Sequence, residues 1–502
     1  MESVETMGSA MPPREGENMM ATRSRAKLGR GIVLGYASGA IVDGAMTNVV
    51  NTFLLFYVTT VCGIPPALAG LAVSIGLIVD AIADPMIGAW SDRLRSRWGR
   101  RLPFMVAAIL PLCVSFAAVF ALPEWSDTTM LFVLLIALSV VVRVSMSFFN
   151  LPYLAVGAEL TDDFAERSRV MAWRWAAGMI GALVGIGIGF GVFLKGPGGL
   201  ARRHAYPPFA LTLCALTLVA SAWAIRTVWK TRHLQHHPAP IHPSMNKRIA
   251  RELSELMRNR SFRILFASSA LFFVAFGMTQ SLALHANTFF WHLTSWQTQQ
   301  VTMSLMLGAL VGAPFCIPLV GRIEKRTAVL TGLCGWILIQ ACPVSLRLAG
   351  WLPMTGQALT LLLSAATFVS GMLMSMAAVA FNSMMADATD EHEYLFGARR
   401  EGLFFAGWTL AGKAAGSIGT FLSGVLLTAI AFPIDQTRRN GFDVSVSQST
   451  LDMLGFFYGP GSAIVAIIGT LLLVRYRLNR QRHTAIIAEL RRRRPSEVTA
   501  AR

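Results

Sequence analysis

Two carboxylates stand four residues apart inside an apolar run, Asp80 and Asp84 in the stretch GLIVDAIADPMIGAWSDRLRSRWGRR. On a helix they share one face, with Cβ atoms roughly 6 Å apart. At an effective dielectric of about 20 their repulsion is on the order of 3 kcal/mol. Each unpaired charge at a bilayer centre costs a further ~2.5–3.5 kcal/mol. Such a pair must hold a proton on one member, bind a cation, or pair with a base. The first two options suit a transporter whose site is tolerable only when loaded. The third is a structural ion pair. Pro85, directly after the pair, removes a backbone donor and loosens the helix beyond it.

The bases that could answer these acids are few. Lys413 sits in GWTLAGKAAGSIG, among Gly402, Gly407, Gly412 and Gly416, small residues that let helices approach closely. Arg174 sits in MAWRWAAG, and Arg143 interrupts another apolar run. Asp43 is a third isolated acid, and Asn48, Asn51 and Asn150 add polar groups. Asn48 and Asn51 serve either interhelical hydrogen bonds or a solute. Asn150 precedes Leu151-Pro152-Tyr153, a proline-broken helix of the kind that lines cavities. His285 is either a proton relay or a hydrogen-bonded structural residue.

The elements that carry these groups follow from composition. Of 502 residues, 54% are hydrophobic and 14% charged, with mean hydropathy +0.54. A soluble chain carries about a quarter charged residues. The apolar runs are continuous rather than alternating, so they read as helices and not barrel strands. Twelve are expected, near 32–61, 66–90, 102–122, 129–155, 169–194, 207–228, 263–291, 297–320, 327–347, 354–386, 402–432 and 454–476. The fold class is therefore an all-α integral membrane protein with twelve transmembrane helices. The polar leader shows no small-residue cleavage site after a short apolar core, so no signal peptide is expected.

Lys and Arg set the orientation. One set of loops holds Arg93, Arg95, Arg97, Arg100, Arg101, Arg167, Arg169, the cluster from Lys230 to Arg263, Arg322, Lys325, Arg326, Arg399 and Arg400. The opposite loops hold few. Both termini are expected to be cytoplasmic, in a cell inner (plasma) membrane. The expected division is a cytoplasmic tail 1–30, a six-helix bundle 31–228, a central loop 229–262, a second bundle 263–476 and a basic tail 477–502. A short amphipathic helix is expected from Pro243 to Asn259. His233, His236, His237 and His242 in the central loop read as a solvated linker, since no carboxylate or Cys accompanies them. The net charge of +17 is mainly topology, spread over loops, which argues against a nucleic-acid partner. The six cysteines contain no CxxC pair and read as packing residues.

At these residues a family resemblance appears. A six-plus-six plan with Gly88 before SDRLRSRWGRR and Gly321 before RIEKR resembles the major facilitator superfamily. DAIADPMIGAWSDRLRSRWGRRLPF, together with MMADATDEHEYLFGARREGLFFAGWTLAGKAAGSIG, resembles its glycoside–pentoside–hexuronide:cation symporters, the melibiose permease-like branch. The likeness covers nearly the whole membrane portion. It implies that Asp80 and Asp84 bind the coupling cation, sodium, lithium or a proton, with Ser147 standing where the family has a threonine. It implies a solute site containing Arg174 and Lys413, with Asn150 at the place of a sugar-binding aspartate and Asp43 one residue before another. It implies cytoplasmic latches at Asp92, Arg93, Arg100, Arg101, Asp387, Arg399 and Arg400. Ala83 replaces an asparagine, removing one oxygen ligand and shifting the balance from sodium toward a proton.

The function expected is a cation-coupled secondary active transporter of a small polar solute, a sugar or glycoside, working by alternating access. No cofactor is expected beyond the coupling Na+ or H+. The expected partners are the solute and membrane lipids, with the monomer as the functional unit. A carrier of an amphipathic lipid or xenobiotic on the same fold is the second reading. An intramembrane enzyme is the third. Against it, the spans contain no His-Glu-x-x-His and no Gly-x-Ser-x-Gly. The acid-rich DATDEHEY at 387–394 reads as a cytoplasmic loop serving as a latch.

Overall fold

Helix starts are written into the sequence as capping side chains. Asp127 accepts from the Thr129 amide at 2.8 Å, Asp163 from Glu166 at 2.8 Å and Asn259 from Phe262 at 2.9 Å. Thr294 and Gln297 form a reciprocal capping box. The computed structural model describes residues 28–94, 96–125, 127–161, 163–196, 198–232, 255–397, 401–434, 436–437 and 446–500. Among them, twelve helices are long and apolar enough to cross a membrane. They are α1 (Arg30–Val61), α2 (Pro66–Arg93), α3 (Leu102–Val119), α4 (Thr128–Glu159), α5 (Ala165–Phe193) and α6 (Arg203–Lys230). The second six are α7 (Arg260–Phe290), α8 (Ser295–Arg322), α9 (Lys325–Leu348), α10 (Gly356–Phe396), α11 (Leu403–Ala429) and α12 (Gln448–Leu473). A thirteenth helix, α13 (Arg480–Ala500), follows. Most of the central loop, including its four histidines, and residues Arg399 and Arg400 lie outside the described residues.

The two sets of six repeat one packing plan. In the first, α1 packs on α5 and α6, α4 on α2 and α3, and α3 on α6. In the second, α7 packs on α11 and α12, α10 on α8 and α9, and α9 on α12. Glycines make the matching approaches possible. A Cβ on Gly44 of α1 would stand 1.9 Å from the Gly178 carbonyl of α5, and one on Gly277 of α7 would stand 2.7 Å from the Gly416 carbonyl of α11. α1 and α7 also end alike, each in a five-residue π turn, Tyr57–Val61 and Ala286–Phe290.

The halves meet chiefly through α2 with α11, α1 with α7 and α5 with α8. These contacts gather toward the face opposite the chain ends. There the Ala67 amide donates to Thr428 Oγ1 at 3.0 Å and Ser74 Oγ to the Ser417 carbonyl at 2.8 Å. His285 Nε2 lies 3.1 Å from Thr59 Oγ1 and 3.2 Å from Thr60 Oγ1, fully buried beside Phe56 and Phe432. This places His285 in a hydrogen-bonded seam between α1 and α7. Gly70 and Gly424 bring α2 and α11 into backbone contact, whereas a Cβ on Gly88, further along α2, would meet no atom of another helix within 4 Å. The molecule is closed at the opposite face and splays toward the face carrying its termini.

Two expectations near the chain's end need correction. DATDEHEY is not a loop: α10 runs on to Phe396 and stops only at Gly397, whose φ of 74° closes it. No proline or glycine interrupts it after Gly371, so the acids simply continue the helix. The basic segment after 477 is not merely a tail. α13 lies on α10, burying Ile486 and Leu490. His483 Nε2 lies 3.0 Å from Asp390 Oδ2, and Arg493 stacks over Tyr394 at 4.6 Å. Between these elements Tyr476 is held neutral: burial first, then the charges of Asp387 and Glu391, push its phenol well above the usual range.

Candidate functional site

The acid pair and the lysine come together across 333 residues of sequence. α2 supplies Asp80 and Asp84, α4 supplies Ser147 and α11 supplies Lys413. Lys413 Nζ donates to Asp80 Oδ2 at 2.7 Å and to Asp84 Oδ2 at 2.5 Å. The other oxygen of each acid, Oδ1, faces Ser147 Oγ, at 2.5 Å for Asp84 and also in contact for Asp80. A hydroxyl carries one proton, so it satisfies only one of these two carboxylate oxygens. The remaining contact needs a carboxyl proton or a metal cation between oxygens. Charge leads to the same result, since two carboxylates and one ammonium sum to −1. Asp80 is only 5% exposed, so a residual charge there has little water to screen it. Lys413, with 29% of its side chain exposed, borders open space.

A polar ladder runs beside this cradle, between α1 and α4. Asp43, Thr47 and Asn51 recur every fourth residue and share one face of α1. Asn150 Nδ2 donates to Asp43 Oδ1 at 2.7 Å, and Thr47 Oγ1 donates to the same oxygen at 3.0 Å. One rung further out, Arg143 Nη2 donates to Asn51 Oδ1 at 3.2 Å. Asn48 instead donates to the Gly44 carbonyl of its own helix at 2.8 Å. Arg174, on α5, sits apart from these rungs near Tyr36 and Tyr153, whose rings stack with centroids 4.7 Å apart. Thr47 and the role of Arg143 escaped the sequence reading. The signal for Arg143 was present, because it lies four residues before Ser147 and seven before Asn150, on the same helical face.

The terminal-face charges form two clusters, one in each half. Arg101 reaches Asp92 at 2.7 Å, Glu159 at 3.0 Å and Ser91 Oγ at 3.0 Å, while Arg100 also pairs with Glu159. These tie the ends of α2, α3 and α4. Lys325 pairs with Asp387 at 2.7 Å, and His483 lies 3.6 Å from the same acid. These tie α9, α10 and α13. The residues expected to form cytoplasmic latches, where described, make these pairs within a half. Arg93 points to solvent without an ion pair among the described residues. Glu159, the last residue of α4, was absent from the sequence-derived set. Arg101 is 7% exposed, so Arg101→Gln takes the ion-pair partner from Asp92 and leaves Glu159 with Arg100 alone among the described pairs. The expected result is a loss of about 3 kcal/mol, seen as a lowered Tm of the purified protein.

Comparison with known proteins follows the same lines. Residues 35–480 match the family described as MFS/sugar transport protein, and the chain belongs to it. It is a multi-pass secondary transporter of sugar-like solutes and not an enzyme. A relative in Synechocystis, described as the uncharacterized symporter sll1374, is 27% identical, covering 95% of this chain and 99% of its own. A glucuronide carrier protein homolog of Escherichia coli K12 is 23% identical over 81% of this chain and 85% of its own. Among solved structures, the nucleoside transporter NupG superposes with a TM-score of 0.62 at 12% identity, over 89% of this chain and all of that one, a likeness of fold alone.

Proposed function

We propose that the protein is a symporter that moves a sugar-like solute together with one sodium ion or proton. The observation that carries this reading is the net −1 charge of Asp80, Asp84 and Lys413 around a single Ser147 hydroxyl. Asp80, Asp84 and Ser147 hold the cation, and Lys413 is the counter-ion that lets the acids coexist. Asp43, Asn150 and Arg174 meet the solute. The relatives described as a symporter and as a glucuronide carrier homolog support a coupled, glycoside-type cargo. Ala83 leaves α2 without a third side-chain oxygen at the cradle, which favours a proton or a weakly held sodium.

The Lys and Arg distribution supports an inner-membrane protein with both termini in the cytoplasm. The conformation described is then inward-facing. The six-helix halves rock about α2 and α11, and the ionic clusters brace the helix ends of each half so that it moves as one body. One chain supplies every group in the cradle and ladder, so the monomer is the working unit. Loading the cation removes the residual charge and favours solute binding, a positive coupling.

The test is tryptophan fluorescence of the purified protein during titration with sodium, lithium or acid. A saturable response to sodium and lithium identifies a metal site, and a response to pH alone identifies a proton site. A well-folded protein that responds to none of them refutes the symport reading and leaves an ion pair of structural role.

A further inference from the structure

The outer wall of the first half carries a gap that neither the cradle nor the ladder uses. Between α3 and α6, toward the face of the chain ends, lies a groove of about 400 Å³. Leu102, Val106 and Ile109 of α3 and Leu218, Ala222 and Ile225 of α6 line it, with Arg226 and Trp229 at one end. It faces outward, since Val106, Leu218 and Trp229 are exposed, as are Leu110 and Val219 beside it. From Leu218 to Trp229, α6 rises roughly 16 Å, about half of a ~30 Å hydrocarbon layer, so the groove has the depth of one leaflet. Arg226 stands on this exposed stripe, one turn inside the end of α6 at Lys230. It has no ion pair and no hydrogen bond among the described residues. A guanidinium keeps its charge, and one that faces lipid calls for an anion. Trp229 follows within a turn, edge-on to Trp98 with centroids 6.4 Å apart and with the Arg232 guanidinium 4.2 Å over its ring. Indoles beside arginines at the end of a span mark the headgroup level. The matching corner of the second half is built differently. There Arg326 Nη2 donates to the Val474 carbonyl at 2.6 Å and ties the ends of α9 and α12 together.

We infer that this groove binds one anionic phospholipid, with an acyl chain lying along it and the phosphate held by Arg226. The planar fork of the guanidinium matches two phosphate oxygens. Lys230 and Arg232, both exposed, add positive charge at the same end. They favour a headgroup of net negative charge over a zwitterion, whose ammonium they repel. Exposed bases at any span end attract acidic lipid weakly. This site differs in joining an apolar slot to a guanidinium inside the hydrocarbon edge. The bound lipid bridges α3 and α6, as Arg326 bridges α9 and α12, and so stabilises the first half. The groove lies outside the cleft between the halves, so the inference stands independently of cation coupling and of the solute.

The experiment titrates the purified protein in detergent with dioleoylphosphatidylglycerol and, separately, with dioleoylphosphatidylcholine, which carries the same chains. Native mass spectrometry counts the bound lipids, and Tm is followed in parallel. One phosphatidylglycerol should bind about fivefold or more tighter than phosphatidylcholine and raise the Tm. Arg226→Gln should weaken that binding about tenfold and remove most of the rise in Tm. Ala222→Trp fills the slot from an exposed position and should weaken both lipids. The Tm of each variant without lipid, unchanged from the native value, reports an intact fold. Glycerol 1-phosphate, which offers the phosphate without the chains, should not displace the lipid. Equal binding of the two lipids overturns the inference, as does phosphatidylglycerol binding that is unchanged in either variant. Displacement by glycerol 1-phosphate also overturns it, by showing a site for free phosphate.

Discussion

Asp84→Asn abolishes the cation response and cuts gradient-driven accumulation by more than about 100-fold. The argument is electrostatic. In the native cradle, Lys413 sits 2.7 Å from Asp80 and 2.5 Å from Asp84, and one negative charge is left over. Asp84→Asn removes that charge and leaves Asp80 and Lys413 as a matched pair. A second cation now adds a net positive charge to a largely buried site, at a cost of several kcal/mol. Each 1.4 kcal/mol is a factor of ten in affinity, so ~3 kcal/mol suffices for the loss. The change is nearly isosteric and keeps an oxygen near Ser147, so the fold should survive. The measurement is the sodium, lithium and pH titration of the variant beside the native protein, with downhill solute exchange as the sign of an intact carrier. Full retention of the response would mean the acids serve structure alone.

Much of this site was legible because membrane burial makes residue type informative. An Asp or Lys inside twenty apolar residues is expensive, so Asp80, Asp84 and Lys413 stand out without any alignment. The spans were legible for the same reason, since length and apolarity define them. Pairing was harder. Asp80 and Lys413 belong to opposite halves, and nothing local in either helix states the register of α2 against α11. Arg143 was visible as a charge, but its aim at Asn51 depends on how α1 and α4 interlock. The acids after Met385 looked like a loop because their polarity resembles one. The helix persists because it lacks a breaker before Gly397, and because α13 covers it with Ile486 and Leu490. Glu159 was missed because the last turn of a span reads like the start of a loop. Its value as the partner of Arg100 and Arg101 appears only when three helix ends converge.

Gly424→Val opens the face that is closed here, without unfolding either half. A Cβ at Gly424 would stand 2.2 Å from the Pro66 carbonyl oxygen and 3.0 Å from the Gly70 Cα. Both are backbone atoms of α2, so no rotamer can relieve the clash and the helices must separate. Overpacking of this kind costs about 1–3 kcal/mol. The cost falls only on the conformation in which α2 and α11 touch at this level. The equilibrium should therefore move away from it by about tenfold or more. A membrane-impermeant thiol reagent applied from the side opposite the termini reads this directly. Ser417→Cys, placed beside Ser74 in the seam, should react faster in the Gly424→Val background. Gly44→Val supplies the contrast. Its added carbon strikes the Gly178 carbonyl at 1.9 Å, but α1 and α5 belong to the same half. That clash persists in every conformation of the carrier, so it should lower the Tm and leave Ser417→Cys reactivity in the folded fraction unchanged. If both valines lower Tm alike and neither alters reactivity, the α2–α11 contact belongs to the fold and not to the gate.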